Sequence, residues 1–287
     1  MALAQMEPVL GDLAANVALH LRCAREAIRR GADLLVFPEL SLTGYRLQDL
    51  VAEVAVPLHS PTAIAPLLDA SRRIPLVVGL VEESEGHRYY NSAVYLDRGR
   101  IRQVHRKIYL PTYGMFEEGR YFAAGDSLRA FRSRLGRLGL LVCEDLWHPS
   151  TALVLAQDGA DYILVLSSSP TQGAGSSSPM TSQSTWRDIL TVTARLQTVF
   201  VVWANRVGFE DGINFGGGSC VVDPFGRVAA CARDLQSELL TCDLDRATLR
   251  AARTAYPLLR DERLAMLSRE VLRLVSVPTS ARGPGGS

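Results

Sequence analysis

Residues 138–166 read LGLLVCEDLWHPSTALVLAQDGADYILVL. Two short apolar runs, 138–143 and 162–166, flank a stretch of Ala, Leu and Val that opens at Pro149 and closes at Asp158. The runs have the length of buried strands and the stretch between them has helical spacing, so the segment predicts strand, helix, strand. Working outward, apolar runs at 2–5, 34–37, 76–81, 92–96, 199–204, 219–222 and 238–242 predict further strands, and 16–30, 62–72, 186–197 and 246–251 predict helices. Alternation of this kind argues an α/β fold. Hairpin-like pairs within 76–104 and 199–244, with turns at Asp97-Arg98-Gly99 and Asp223-Pro224-Phe225-Gly226, make the sheets mixed and leave room for two of them. No fixed-period repeat and no composition break interrupts 2–275, so residues 1–277 are expected to form a single domain. The Ser-, Gly-, Thr- and Pro-rich stretch 167–184 predicts a long surface loop, and 278–287 predicts a flexible C-terminal tail.

The chain has 287 residues, 47% hydrophobic and 21% charged, which is enough to bury roughly 75% of the unfolded surface and excludes a disordered protein. Its formal charge of +1 provides no global attraction to nucleic acid or anionic lipid. Five cysteines without a C-x-x-C pair point to a reducing cytosol, and a cytoplasmic location is expected. Residues 1–11 lack the pattern of a signal peptide, and no apolar run approaches the roughly 20 residues of a membrane span.

Of the 31 basic residues, 30 are arginine and only Lys107 is lysine. Lysine is a compact ammonium whose pKa burial can move, whereas arginine stays charged, so a single lysine among arginines is a candidate for chemistry. Several other chemistries are excluded. No phosphate-binding G-x-x-x-x-G-K-[ST] is present, the glycine cluster 216–218 does not open a helix, and the five histidines show no paired metal-ligand spacing. No G-x-S-x-G elbow is present.

Three strand ends remain. Cys143 closes the run 138–143 and is followed at once by Glu144 and Asp145; Glu39 follows the run 34–37 and Pro38; Lys107 leads from one apolar segment into another. Ligands of α/β proteins gather at such strand ends. Read alone, Cys143 is a small buried hydrophobe and Glu39 a solvated turn residue. Together they are complete for acyl transfer: a thiol that attacks a carbonyl, a carboxylate that takes the thiol proton and returns it to the leaving amine, and an ammonium that stabilises the oxyanion with the Glu144 backbone amide.

In this order and setting the three residues resemble the Glu-Lys-Cys triad of the nitrilase-like carbon-nitrogen hydrolases. Phe37-Pro38-Glu39-Leu40 with Thr43-Gly44-Tyr45 is similar to that family's glutamate motif, 106–111 to its lysine motif and 142–147 to its cysteine motif. The resemblance spans about 2–244 and implies a four-layer αββα sandwich of two mixed β-sheets. It also implies a second glutamate after the lysine, which Glu118 matches within Phe116-Glu117-Glu118-Gly119, leaving Glu117 without a role. Within the family the motifs look most like the glutamine-hydrolysing domain of glutamine-dependent NAD synthetases, which implies that Tyr45, Tyr113, Phe116, Glu144, Trp147 and Ser169 form the substrate-binding set. No metal or organic cofactor is implied. Homodimerisation is, with 254–274 packing across the interface.

The expected activity is cysteine-dependent hydrolysis of a small aliphatic or glutamine-like amide to carboxylate and ammonia through a thioester. Alternatives are an N-carbamoyl amine hydrolase, an ammonia-supplying glutaminase subunit of a separate synthetase, and a non-catalytic binding module, against which the intact triad argues. Two features separate the sequence from the synthetase branch. Its length leaves no room for an ATP-using domain, so NAD formation by this chain alone is not expected. No Lys or Arg lies between Pro170 and Trp186, where that branch holds the carboxylate of glutamine.

Overall fold

The computed structural model of the chain describes residues 1–171 and 181–276. Residues 172–180 of the expected loop and the expected tail 278–287 lie outside the described residues.

Two mixed sheets dominate. A seven-stranded sheet runs Glu238–Thr241, Ala2–Gln5, Leu35–Val36, Leu76–Glu83, Tyr89–Asp97 and Arg100–Arg106, with Val56–Pro57 attached to Leu76–Glu83. A six-stranded sheet runs Val228–Cys231, Cys220–Val222, Phe200–Asn205, Tyr162–Ser167, Gly136–Val142 and Phe131–Ser133. The central strands of each are parallel and the flanking strands antiparallel. A separate hairpin pairs Val207–Glu210 with Ile213–Gly216.

Strand alternation builds the layers. In Phe200–Asn205, the side chains of Phe200, Val202 and Ala204 pack with Leu3, Val36 and Val77 of the other sheet, while Val201 and Trp203 pack outward against Trp186 and Leu190 of the helix Thr181–Gln197. Tyr162, Leu164 and Leu166 likewise face the other sheet, and Ile163 and Val165 face the helices. On the far side, Leu35, Leu76 and Val78 pack against Val17, Ala24 and Ala27 of the helix Leu13–Arg29. Helix, sheet, sheet and helix therefore stack in four layers, because each strand carries apolar side chains on both faces. Gly139 lets the helix Pro149–Gln157 seat closely, since a Cβ there would lie 2.8 Å from Leu155 Cδ1.

The predicted strand–helix–strand unit is present as Gly136–Val142, Pro149–Gln157 and Tyr162–Ser167. The turn at 97–99 closes a two-residue hairpin in which Arg98 (φ 55°) and Gly99 (φ 75°) are both left-handed, as a type I′ turn requires. Three details differ from the reading above. Residues 62–72 divide into a 3₁₀ turn, Thr62–Ile64, and a short helix, Ala65–Ala70. The helix Thr181–Gln197 begins inside the loop expected over 167–184, and the largely exposed helix Leu264–Ser276 was not anticipated.

Candidate active site

The glutamate, lysine and cysteine segments all leave their strands at one end of the sandwich, and sharp backbone turns aim their side chains. Leu40, just after Glu39, has φ 47°, and the turn closes with Thr43 and Gly44 N–H groups donating to the Leu40 carbonyl at 3.1 and 2.9 Å. This turn lies so close to the strand Leu76–Glu83 that a Cβ on Gly79 would meet Leu40 N and Pro38 O at 2.5 Å. Only glycine fits there. Cys143 itself adopts φ 44° where Gly136–Val142 passes into the 3₁₀ turn Cys143–Trp147, a left-handed conformation that is costly for a residue with a Cβ.

Glu39, Lys107 and Glu118 form one buried chain of charges. Lys107 Nζ donates to Glu39 Oε1 at 2.8 Å and to Glu118 Oε1 at 2.7 Å, and Lys107 is 1% exposed. Glu39 Oε1 also accepts Asn91 Nδ2 at 2.8 Å, and its Oε2 accepts the Ser168 N–H at 2.7 Å. Tyr45 donates its hydroxyl to Glu118 Oε1 at 2.5 Å, whereas Glu118 Oε2 is buried without a partner. The Ser167 hydroxyl donates to Cys143 Sγ at 3.3 Å.

The electrostatics follow from two carboxylates sharing one ammonium out of water. Burial opposes the charged form of Lys107, but the carboxylates of Glu118 and Glu39 outweigh it and hold the ammonium well above its ordinary range. Burial raises Glu118 to about 7; Lys107 opposes this and the Glu39 charge adds to it. Burial, then the Glu39 charge, push the Cys143 thiol well above its ordinary range, against Lys107 and Ser167. The resting sulfur is thus a thiol, and a neighbouring base is needed to make it a nucleophile.

The remaining expected residues fall into two positions. Tyr113 and Trp147 are exposed at the rim, and Tyr113 donates its hydroxyl to Glu144 at 2.9 Å. Phe116 stands edge-on to both Tyr113 and Tyr45, at ring distances of 5.7 and 6.4 Å. Ser169 lies deeper, its hydroxyl accepting Trp186 Nε1 at 2.9 Å, and Trp186 meets Trp147 edge-on at 5.6 Å. Glu117 is exposed.

Several residues around the site escaped the sequence reading. Asp145 is fully buried; its Oδ1 accepts the N–H groups of Ile108 and Tyr109 at 2.9 and 3.0 Å, and its Oδ2 accepts His105 Nε2 at 2.8 Å and Val142 N–H at 3.0 Å. Glu210 Oε1 accepts the N–H groups of Tyr45 and Arg46 at 2.8 and 2.5 Å, while its Oε2 accepts the buried Arg206 at 2.6 Å. Asn91, Ser167 and Ser168 complete the set. The signal for Ser167 and Ser168 was present, because Ser167 ends and Ser168 follows the parallel strand beside the cysteine's. Asn91 sits inside a strand and gave none. Among the described residues no group of three His, Cys, Asp or Glu side chains could hold a metal ion, and no helix is long and apolar enough to cross a membrane.

Comparison with known proteins shows what the chain resembles. The family model described as carbon-nitrogen hydrolase matches residues 1–254. A glutamine-dependent NAD(+) synthetase of Thermotoga maritima is 35% identical over 248 residues, 85% of this chain, yet the match spans only 41% of that protein. The chain thus spans less than half the length of this relative. An (R)-stereoselective amidase of Pseudomonas sp. is 38% identical over 265 residues, 91% of this chain and 89% of the amidase. A structure of the amidase from Nesterenkonia sp. AN1, with acrylamide added at its active site cysteine, superposes with a TM-score of 0.78 at 27% identity, covering 94% of this chain and 98% of that one.

Proposed function

The chain belongs to the carbon-nitrogen hydrolase family, and from that premise we propose that it is a cysteine-dependent amidase of small aliphatic or glutamine-like primary amides. One observation carries the reading: the only lysine of the chain is buried between two carboxylates, Glu39 and Glu118, within the electrostatic reach of Cys143.

In this reading Glu39 takes the Cys143 proton and the thiolate attacks the amide carbon. Lys107 Nζ and the Glu144 N–H hold the oxyanion that forms. Glu39 returns the proton to the amide nitrogen, the C–N bond breaks, and ammonia leaves a thioester on Cys143. Glu39 then takes a proton from water, the hydroxide adds to the thioester, the C–S bond breaks, Glu39 returns the proton to the sulfur, and the acid loses its own proton to solvent, leaving the carboxylate and the thiol. Glu118 keeps Lys107 charged and positioned through Oε1, to which Tyr45 also donates. Tyr113, Phe116, Glu144, Trp147 and, through Trp186, Ser169 shape the substrate pocket.

A second reading is favoured by the match to just the part of the synthetase that this chain covers: a glutaminase subunit that supplies ammonia to a separate synthetase. The near full-length match to the Pseudomonas amidase favours the free-standing enzyme. We place the protein in the cytoplasm as a homodimer, with 254–274 at the interface.

Ammonia release across glutamine, short aliphatic amides, both enantiomers of chiral carboxamides and N-carbamoyl amines tests the proposal, with Cys143→Ala as control. Release that depends on Cys143 and is fastest on simple carboxamides is the expected result. Silence on every substrate overturns the free-standing amidase.

A further inference from the structure

Cys220 and Cys231 lie directly opposite one another on the antiparallel strands Cys220–Val222 and Val228–Cys231, the second of which edges the six-stranded sheet. The Ala232 N–H donates to the Ser219 carbonyl at 2.8 Å, so 219 and 232 share the ladder bond and the two cysteines are a non-hydrogen-bonded pair. At such a pair the Cα atoms stand about 4.5 Å apart and both side chains leave the same face of the sheet. Disulfides span Cα separations from about 4.4 Å upward. The bridge can therefore close without moving the ladder, near the short limit where it is strained and readily reduced.

The two thiols, both free, differ in access. Cys231 is exposed on the edge strand, whereas Cys220 is buried in the cluster that contains Trp186 and Trp203. The adjoining Cys220 thiol brings the Cys231 thiol down to about 7, with burial and Asp234 opposing this and Arg187 assisting it. Exposure makes Cys231 the thiol that a solute meets first, with Cys220 directly opposite it in the ladder and buried.

We propose that Cys231 and Cys220 form a dithiol modification site for hydroperoxides, separate from the Cys143 site. The Cys231 thiolate attacks one peroxide oxygen; the O–O bond breaks, hydroxide leaves and takes up a proton, and Cys231 becomes a sulfenic acid. Cys220 sulfur then attacks the Cys231 sulfur, the S–S bond forms, the S–O bond breaks, and hydroxide leaves with the Cys220 proton as water. Two thiols are oxidised to a disulfide while hydrogen peroxide is reduced to two waters. Cys143, less accessible than the exposed Cys231, reacts more slowly.

The test treats the full chain with a small excess of hydrogen peroxide, then counts free thiols by alkylation under denaturing conditions and maps the peptides. The expected result is a loss of two of the five free thiols, a Cys220–Cys231 cross-linked peptide, unmodified Cys143, and full recovery with dithiothreitol. Cys231→Ser should abolish the cross-link. In Cys220→Ala, Cys231 should stop at a sulfenic acid that dimedone traps; should that variant misfold, the exposed Cys231→Ser still decides. Oxidation of Cys143 first, a Cys231 cross-link between two molecules, or five intact thiols would each overturn the proposal.

Discussion

Asp145 Oδ1 accepts the backbone N–H of Ile108 at 2.9 Å, and this bond ties the turn that carries Cys143 to the loop that leaves Lys107. The same carboxylate accepts Val142 N–H on the near side and Tyr109 N–H on the far side. One buried charge thus fixes the spacing between a strand end of each sheet, and the relative positions of nucleophile and ammonium do not depend on the loops at the rim.

Replacing Asp145 with Asn should show this. The amide would turn an N–H donor either towards the Ile108 and Tyr109 N–H groups or towards Val142 N–H and His105, leaving buried donors unpaired, and stability should fall by about 3–5 kcal/mol. Burial raises the Asp145 carboxyl, but the His105 bond and the backbone donors outweigh it and hold it below its ordinary range in the folded protein. Its contribution is therefore present above the unfolded value of about 3.9 and is lost as pH falls through the folded value. Urea unfolding of wild type and Asp145→Asn at pH 7 and at pH 3 measures both effects; equal stabilities at pH 7 would remove the bracing role.

Cys143→Ala should fold normally and lose turnover, because the substitution removes one sulfur atom from a partly buried position and leaves the Asp145 brackets intact. Circular dichroism and ammonia release separate the two outcomes.

Lys107→Arg should be inactive although it keeps the charge. A guanidinium is wider than an ammonium, and the position is 1% exposed between Glu39 and Glu118, each within 2.8 Å of Nζ. A fall in kcat/KM of about 10²–10³ is the size expected for losing one oxyanion donor. Retained activity would sink the role assigned to Nζ.

Glu118 should set the acid limb of the rate profile. Its carboxyl is raised by burial to about 7, so it ionises and holds Lys107 only as pH rises through that value, and kcat/KM should climb there. The stability linkage runs the other way: with the folded value above the unfolded one of about 4.3, the contribution of this group is largest at low pH and is lost as pH rises towards 7. Glu118→Gln should abolish the limb. Tyr45→Phe removes a donor that lowers Glu118 and should move the limb to higher pH; a limb unmoved in both variants would assign it elsewhere.

Glu210→Gln should cost about 3–5 kcal/mol, since it leaves the fully buried Arg206 without its carboxylate when Arg206 Nε and Nη2 already lack partners. The same change loosens the Tyr45 and Arg46 N–H anchors. Thermal unfolding reads the first effect. Weaker substrate binding at unchanged stability, after compensation by Arg206→Met, would read the second.

Much of the fold was legible in the sequence because its cause is local. Apolar runs such as 162–166 have one solution, a buried strand, and the Ala- and Leu-rich stretch after Pro149 has one partner to cover, so the layered α/β arrangement follows from alternation. The strand Arg100–Arg106 was legible only through the hairpin turn at 97–99, because an edge strand needs few apolar side chains and its arginines mask the period.

In the site, a lone lysine at 107 and a carboxylate and a thiol at the strand ends 39 and 143 were legible from the residues themselves, whereas Glu118, which opens a short helix, was legible only through the resemblance. What only the tertiary structure decided is how those groups meet. Asn91 on Glu39, Ser167 on Cys143, Asp145 between two loops and Glu210 beneath Tyr45 join residues 24 to 165 positions apart. No local pattern encodes such contacts, since hydrogen bonds and the loss of water that shifts Glu118 and Cys143 arise only where the packed sheets bring distant backbone turns together.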